Sequence, residues 1–133
     1  ANFSAITKDD SLMDVFAGPL TLLLVAVAGG IGAVIRLYAG RLTGALPWGI
    51  LIANVAASFV VGFAQQAPVL VVGIILISGL AGGLSTFSTW AAQTTDLLRN
   101  GRVIHALINT VGTLVLSSTA VWLGQLAGAA LLK

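Results

Sequence analysis

Cysteine and glutamate are both missing from this chain of 133 residues, and histidine occurs once, as His105. Without cysteine the chain has no disulfide, thiolate nucleophile or cysteine metal site, and one histidine cannot build a multi-histidine site. Charged residues are also scarce, at 8%, against about 25% in an average soluble domain. The scarcity of charge excludes a soluble enzyme, because the chain lacks the polar surface needed to stay in water. An enzymatic function also lacks support, since the sequence offers no cysteine, paired histidines or buried acid–base pair.

Apolar sequence is what the chain has in abundance: 58% of its residues are hydrophobic, and the mean hydropathy is +1.06. A helix that crosses a bilayer needs about 20 apolar residues, so this length leaves room for about four spans and short loops. The predicted fold is an all-α integral membrane protein with a polar N-terminal segment over 1–16 and a transmembrane domain over 17–133. The predicted spans cover about 19–38, 48–64, 69–92 and 103–126.

The net charge of +2 comes from a few scattered basic residues, too few to form a nucleic-acid-binding stripe. Four arginines flank the first and third loops, which lie on one side of a four-span protein: Arg36, Arg41, Arg99 and Arg102. The tendency of basic loops to stay cytoplasmic places these loops inside and both termini outside. Because the bias is small, insertion in both orientations and a partner of opposite orientation remain open.

The third span has an unusual composition, with three glycines and three hydroxyl residues between Ser78 and Thr86. Each glycine weakens a helix by about 1 kcal/mol, and a broken helix persists in a membrane only where its freed backbone groups find partners. Alternatively, the glycines let neighbouring helices approach closely. The hydroxyls that follow the glycines favour a break.

Polar side chains within the spans have two interpretations. Asn54 lies midway along the second span, and Asn109, Thr113 and Ser117 recur at i, i+4 and i+8 along one face of the fourth. They line a polar path for a solute, or they form hydrogen bonds between helices. The sequence alone leaves both open.

Phe87 and Trp90 follow the predicted break at helical spacing, which is typical of simple packing, although the positive ring edge of an aromatic residue can also face an anion. Arg36 ends the first span, where it either extends to the membrane interface or concentrates anions at a pore mouth. Asp96 ends the third span, and no carboxylate lies mid-membrane. Proton coupling therefore lacks a titrating group, and downhill conduction is the simpler mechanism.

Three ordered motifs resemble those of the Fluc/CrcB fluoride channel family. The first runs from Gly29 to Arg36, the second from Gly49 to Asn54 with Ser58 and Phe59 after it, and the third from Gly79 to Trp90. The third motif, with its glycine-rich part followed by Thr-Phe-Ser-Thr, is highly specific. The resemblance covers everything except the N-terminal segment.

The resemblance implies an antiparallel, dual-topology dimer with two fluoride pores, made of two copies or of this chain and a homologous subunit of opposite orientation. It places one group of residues along the fluoride pathway: Asn54, Phe87, Ser88, Thr89, Trp90, Asn109, Thr113 and Ser117. It makes Arg36 the vestibule arginine, and it assigns the backbone carbonyls of Gly82 and Ser85 to a structural Na⁺ on the dimer axis.

Four positions depart from the family pattern: Leu37, Ile50, Trp90 and Asn109. The expected function is passive, fluoride-selective export across the cell membrane, with fluoride and membrane lipid as partners and no enzymatic activity. A non-conducting or partner-dependent subunit of a heterodimeric channel is the main alternative. A small multidrug-type antiporter fits less well because it needs a membrane-embedded carboxylate.

Overall fold

The computed structural model describes residues 18–132 together with Asp14, so most of the predicted N-terminal segment lies outside the described residues. All regular elements in this part of the chain are helices. In chain order they are α1 (Pro19–Ala39), α2 (Trp48–Ala64), α3 (Leu70–Ile74), a π-helix (Ile75–Ala81), α4 (Gly82–Leu84), α5 (Phe87–Arg99) and α6 (Val103–Leu131).

Several of these segments are long and apolar enough to cross a membrane. They are Pro19–Ala39, the 30-residue stretch Leu70–Arg99 and Val103–Leu131. Helix α2 is apolar but shorter, with 17 residues. The last two regions continue as helix past the membrane ends expected at 92 and 126, to Arg99 and Leu131. The expectation of an all-helical, multi-pass membrane fold is confirmed for the described residues.

Close backbone contact joins α1 to the π-helix and α4. A Cβ atom on Gly32 would overlap the carbonyl oxygen of Leu80, and one on Gly83 would overlap the carbonyl oxygen of Gly29. These glycines therefore allow the two helices to approach closely, as the composition of the third span suggested. The same span also breaks just after Leu84, so both interpretations of its glycines apply.

Helices α2 and α6 pack together in the same way. A Cβ on Gly62 would overlap the carbonyl oxygen of Val121, and one on Gly124 would overlap that of Phe59. Three of the four buried side chains between α2, the π-helix and α4 are small as well: Ala53, Ala57 and Ala81 are each 2% exposed. The fourth is Leu84, the last residue of α4, which is 6% exposed.

The link between α5 and α6 is a tight turn at Gly101, whose φ of 71° lies in the left-handed region. The Gly101 amide donates to the Leu98 carbonyl and the Arg102 amide to the Leu97 carbonyl, which ends α5 in a Schellman motif. Arg102 also donates through Nη2 to the Ala45 carbonyl at 2.6 Å. The two loops at this end of the protein are thereby joined.

Substituting Gly124 with alanine should destabilise the fold, because the added methyl group has no space against the α2 backbone. Overpacking of this kind costs about 1–3 kcal/mol. Gly112→Ala, on the same helix, is the matched control, since a Cβ there meets nothing within 4 Å. Thermal unfolding of the purified protein in detergent measures both. A melting temperature lowered equally by the two substitutions would contradict this packing.

Candidate functional site

The helix break consists of two extended residues between α4 and α5. Ser85 has φ −79° and ψ 154°, and Thr86 has φ −153° and ψ 125°. Helical i to i−4 hydrogen bonds cannot run across such a conformation, so amides and carbonyls on both sides lose their usual partners. The third span therefore contains backbone polar groups that need partners from the protein, since the lipid interior of a membrane offers none.

Asn54 supplies partners to one of these two residues. Its Oδ1 accepts from the Thr86 amide at 2.8 Å, and its Nδ2 donates to the Thr86 carbonyl at 3.2 Å. The side chain thus binds both backbone groups of a residue 32 positions away. One N–H of the carboxamide remains for another acceptor.

Thr86 in turn caps the start of α5. Its Oγ1 accepts from the Thr89 amide at 3.3 Å and donates to the Thr89 hydroxyl at 3.2 Å, and it lies 3.3 Å from the Ser88 hydroxyl. Thr86 was not among the predicted site residues. A threonine just before a helical stretch is a sequence signal for an N-cap and could have identified it.

Arg36 reaches the other extended residue, since its Nη1 donates to the Ser85 carbonyl at 3.1 Å. The sequence suggested a membrane-interface or vestibule position for this arginine. It also lines a cavity of about 530 Å³, whose other lining residues are Ala33, Leu37, Gly40, Arg41, Ile50 and Thr89.

A second cavity, of about 370 Å³, lies beside the break and collects five predicted pathway residues: Asn54, Phe87, Trp90, Thr113 and Ser117. The rest of its lining is Ser58, Ser85, Thr86, Leu114 and Ser118. None of these ten side chains is ionisable. The cavity is therefore uncharged, with a few hydroxyl and amide groups set in a mostly apolar wall, and we refer to it as the break cavity.

The remaining predicted pathway residues lie elsewhere. Thr89 lines the 530 Å³ cavity with Arg36, and Ser88 is exposed beside the Thr86 hydroxyl. Asn109 is 2% exposed and donates to the Thr94 hydroxyl at 2.9 Å, which joins α6 to α5. The predicted stripe on α6 thus divides, with Thr113 and Ser117 on the break cavity and Asn109 between helices.

The aromatic pair, Phe87 and Trp90, lies at the N-terminal end of α5. The rings of Phe87 and Trp90 are 5.2 Å apart between centroids and inclined by 42°. Phe87 is 76% exposed, whereas the Trp90 Nε1 atom is buried and has no hydrogen-bond partner among the described residues. A buried indole N–H without a partner is unusual in a folded protein.

The family model described as CrcB-like protein, Camphor Resistance (CrcB), matches residues 23–125, which contain the break, Asn54 and Arg36. The chain belongs to this family. A curated relative from Opitutus terrae, named fluoride-specific ion channel FluC, is 38% identical over 122 residues, covering 82% of this chain and 92% of the relative. Relatives of the same name from Methylobacterium radiotolerans and Pyrococcus abyssi are 37% and 36% identical over 121 and 115 residues. These two alignments cover 82% and 78% of this chain, and 85% and 92% of the relatives.

The resemblance to CrcB proteins inferred from the three motifs is therefore confirmed. Membership of this family, together with the apolar helices, makes the chain a multi-pass membrane protein. The roles of individual site residues remain predictions.

In this CrcB-family protein, Asn54→Leu should lower the free energy of unfolding by about 1–3 kcal/mol, because Thr86 then has a buried amide and carbonyl without these partners. Asn100→Ala is the control, since Asn100 is exposed and its side chain donates only to the Asp96 carbonyl of its own helix. We expect that control to change stability by less than about 0.5 kcal/mol. Denaturant unfolding in detergent micelles, followed by circular dichroism, makes the measurement. Equal effects would show that Asn54 does not hold the break.

Proposed function

We propose that this chain forms a fluoride-selective channel that lets fluoride leave the cell down its gradient. The observation that carries the proposal is the break cavity, which places neutral hydrogen-bond donors at the start of a helix inside the membrane. The names of the CrcB-family relatives support fluoride as the ion. This function is transport and involves no covalent change in the ion.

Fluoride is small and strongly hydrated, so it enters a membrane only where other donors replace its water. The amides of Phe87 and Ser88 start α5 and cannot reach helical acceptors across the extended residues. The N-terminus of a helix attracts anions through such amides and through its dipole. These two amides are the first donors that we assign to the pathway.

The side chains of the break cavity differ in what they can still donate. The Thr113 hydroxyl already donates to the Asn109 carbonyl at 2.6 Å, and the Ser58 hydroxyl donates to the Asn54 carbonyl at 2.9 Å. The hydroxyls of Ser85, Ser117 and Ser118 make no hydrogen bond within the described part of the chain, and Asn54 keeps one free N–H. We assign direct anion contact to Asn54 and, of these hydroxyls, to Ser117, which its spacing places on the same face of α6 as Thr113, with the positive ring edge of Phe87 beside them.

The absence of charge in the break cavity suits conduction. A neutral donor binds an anion weakly enough for the ion to leave again, whereas a full positive charge would retain it. The described lining also offers no group that could take up a proton during transport. Passive flow of fluoride is therefore the mechanism we propose.

For the assembly we propose four spans, with α2 as the second, and an antiparallel pair of subunits. Phe87 supports this arrangement, because a ring that is 76% exposed beside the cavity has a face that a second subunit could cover. The small difference in loop charge also permits both orientations. Each pore would then take residues from both subunits.

A structural Na⁺ on the dimer axis fits the carbonyls at the break. The Gly82 carbonyl loses its helical donor because the Thr86 amide binds Asn54 instead, and the Ser85 carbonyl keeps one lone pair beside the Arg36 bond. Both residues line a cavity of about 170 Å³. Bound there, the ion would supply positive charge near the anion path.

The deciding experiment is fluoride efflux from liposomes that contain the purified chain alone. We expect fluoride release, measured with an ion-selective electrode after a potassium ionophore is added, and chloride release no faster than from empty liposomes. Equal release of the two anions would contradict fluoride selectivity. No fluoride release from the chain alone would instead favour the partner-dependent subunit.

Phe87→Ile should reduce fluoride efflux to the level of empty liposomes, because isoleucine has no positive ring edge. The substituted protein should still assemble, which its gel-filtration elution volume would show. Phe59→Ile is the control: Phe59 stacks on Phe63 with ring centroids 6.4 Å apart and does not line the break cavity. Unchanged flux in Phe87→Ile would show that the Phe87 ring is not part of the fluoride pathway.

A further inference from the structure

Arg36 donates a hydrogen bond to the Ser85 carbonyl of the break. A residue that only supplied positive charge to a vestibule would not need this contact. We propose that Arg36 is a positioning residue: its guanidinium holds the break open by hydrogen bonding the Ser85 carbonyl, and conduction depends on that bond as well as on its charge. This inference rests on the proposed function, but part of its test needs no ion flux.

The Ser85 carbonyl needs this donor because its helical one is taken. In a continuous helix the Thr89 amide would donate to it, but that amide donates to the Thr86 hydroxyl instead. Arg36 supplies a substitute at 3.1 Å. A hydrogen bond from a charged group is among the stronger ones in proteins, so it suits a carbonyl exposed by a break in a membrane helix.

The position of Arg36 is set by the same helix face that packs against the third span. Gly32 lies one turn earlier, and its backbone touches the Leu80 carbonyl and the Leu84 amide so closely that a Cβ would overlap both. Residues at i and i+4 lie on one helix face. The α1 backbone is therefore anchored beside the end of α4, and Arg36 extends from that anchor to Ser85.

Two separate helices thus hold the two extended residues. Arg36 on α1 binds Ser85, and Asn54 on α2 binds both backbone groups of Thr86. The two helices are themselves in close contact, since a Cβ on Gly49 would overlap the Ala39 carbonyl. This geometry fixes the start of α5, and with it the Phe87 and Ser88 amides.

Arg41 provides a matched comparison within the same cavity. It lines the 530 Å³ cavity with Arg36, but its guanidinium lies over the Tyr38 ring, 4.8 Å from the centroid, rather than on the break. Both residues contribute positive charge to this cavity. Arg36 alone of the two also binds a backbone carbonyl of the break.

The test compares Arg36→Lys and Arg36→Gln with Arg41→Lys and Arg41→Gln in liposomes, at several fluoride concentrations and at low and high ionic strength. A positive charge that only concentrates anions lowers the half-saturating fluoride concentration, and high salt weakens this effect by screening the charge. Loss of a residue that positions the break lowers the maximal flux, and it does so at any salt concentration. We expect both Arg36 variants to lose maximal flux by about tenfold or more, as for loss of a charge-assisted hydrogen bond. Arg41→Gln should change only the half-saturating concentration, and Arg41→Lys, which keeps the charge, should leave both quantities close to wild type.

Hydrogen exchange of the peptide that contains residues 79–90 provides the second measurement, which is independent of flux. We expect faster exchange there in Arg36→Lys and Arg36→Gln than in either Arg41 variant, because the break loosens when Ser85 loses its donor. Arg36→Lys keeps a long, charged side chain. If Arg36→Gln does not assemble, Arg36→Lys alone is compared with the Arg41 variants. Wild-type flux and wild-type exchange in Arg36→Lys would overturn the proposal, as would an equal loss of maximal flux in Arg41→Gln. Absence of flux in the wild type would count against the proposed channel instead.

Discussion

Backbone amides and carbonyls inside a lipid bilayer need hydrogen-bond partners from the protein itself, and the break at Ser85 and Thr86 leaves several of them without helical ones. The side chains of Asn54 and Arg36 bind three of these groups. The amides of Phe87 and Ser88, which begin α5, lie next to these groups, and Phe87 lines the uncharged break cavity. The donors that suit a strongly hydrated anion therefore arise from the same interruption that the two side chains hold in place.

Glycine makes this arrangement possible because it lets backbones touch. Gly32 and Gly83 bring α1 against the π-helix and α4, while Gly62 and Gly124 bring α2 against α6. Between α2 and the third span the small buried residues are alanines, Ala53, Ala57 and Ala81, and there the short side chain of Asn54 reaches the Thr86 backbone directly. Most of the bulky apolar residues in the described part of the chain lie on the outer surface, which suits a chain surrounded by lipid.

The helical regions follow from the sequence because long apolar runs, Pro19 and the loop residues delimit them well. A break in the third span also follows from its glycines and hydroxyls. The partners of the break do not follow from the sequence. Asn54 lies 32 positions from Thr86 and Arg36 lies 49 positions from Ser85, and residue type alone does not pair them. For the same reason, the i, i+4, i+8 pattern on α6 could not reveal that Asn109 binds Thr94 whereas Ser117 lines the break cavity.

The backbone donors at the start of α5 are the centre of the proposed pathway, and their nitrogen chemical shifts report anion contact directly. We expect solid-state nuclear magnetic resonance of the labelled protein in lipid to show the Phe87 and Ser88 amide signals moving as sodium fluoride replaces sodium chloride. The Val103 and Ile104 amides, which start α6 away from the helix break, should stay unchanged. Phe87 and Ser88 signals that are identical in fluoride and chloride would contradict anion binding at the break.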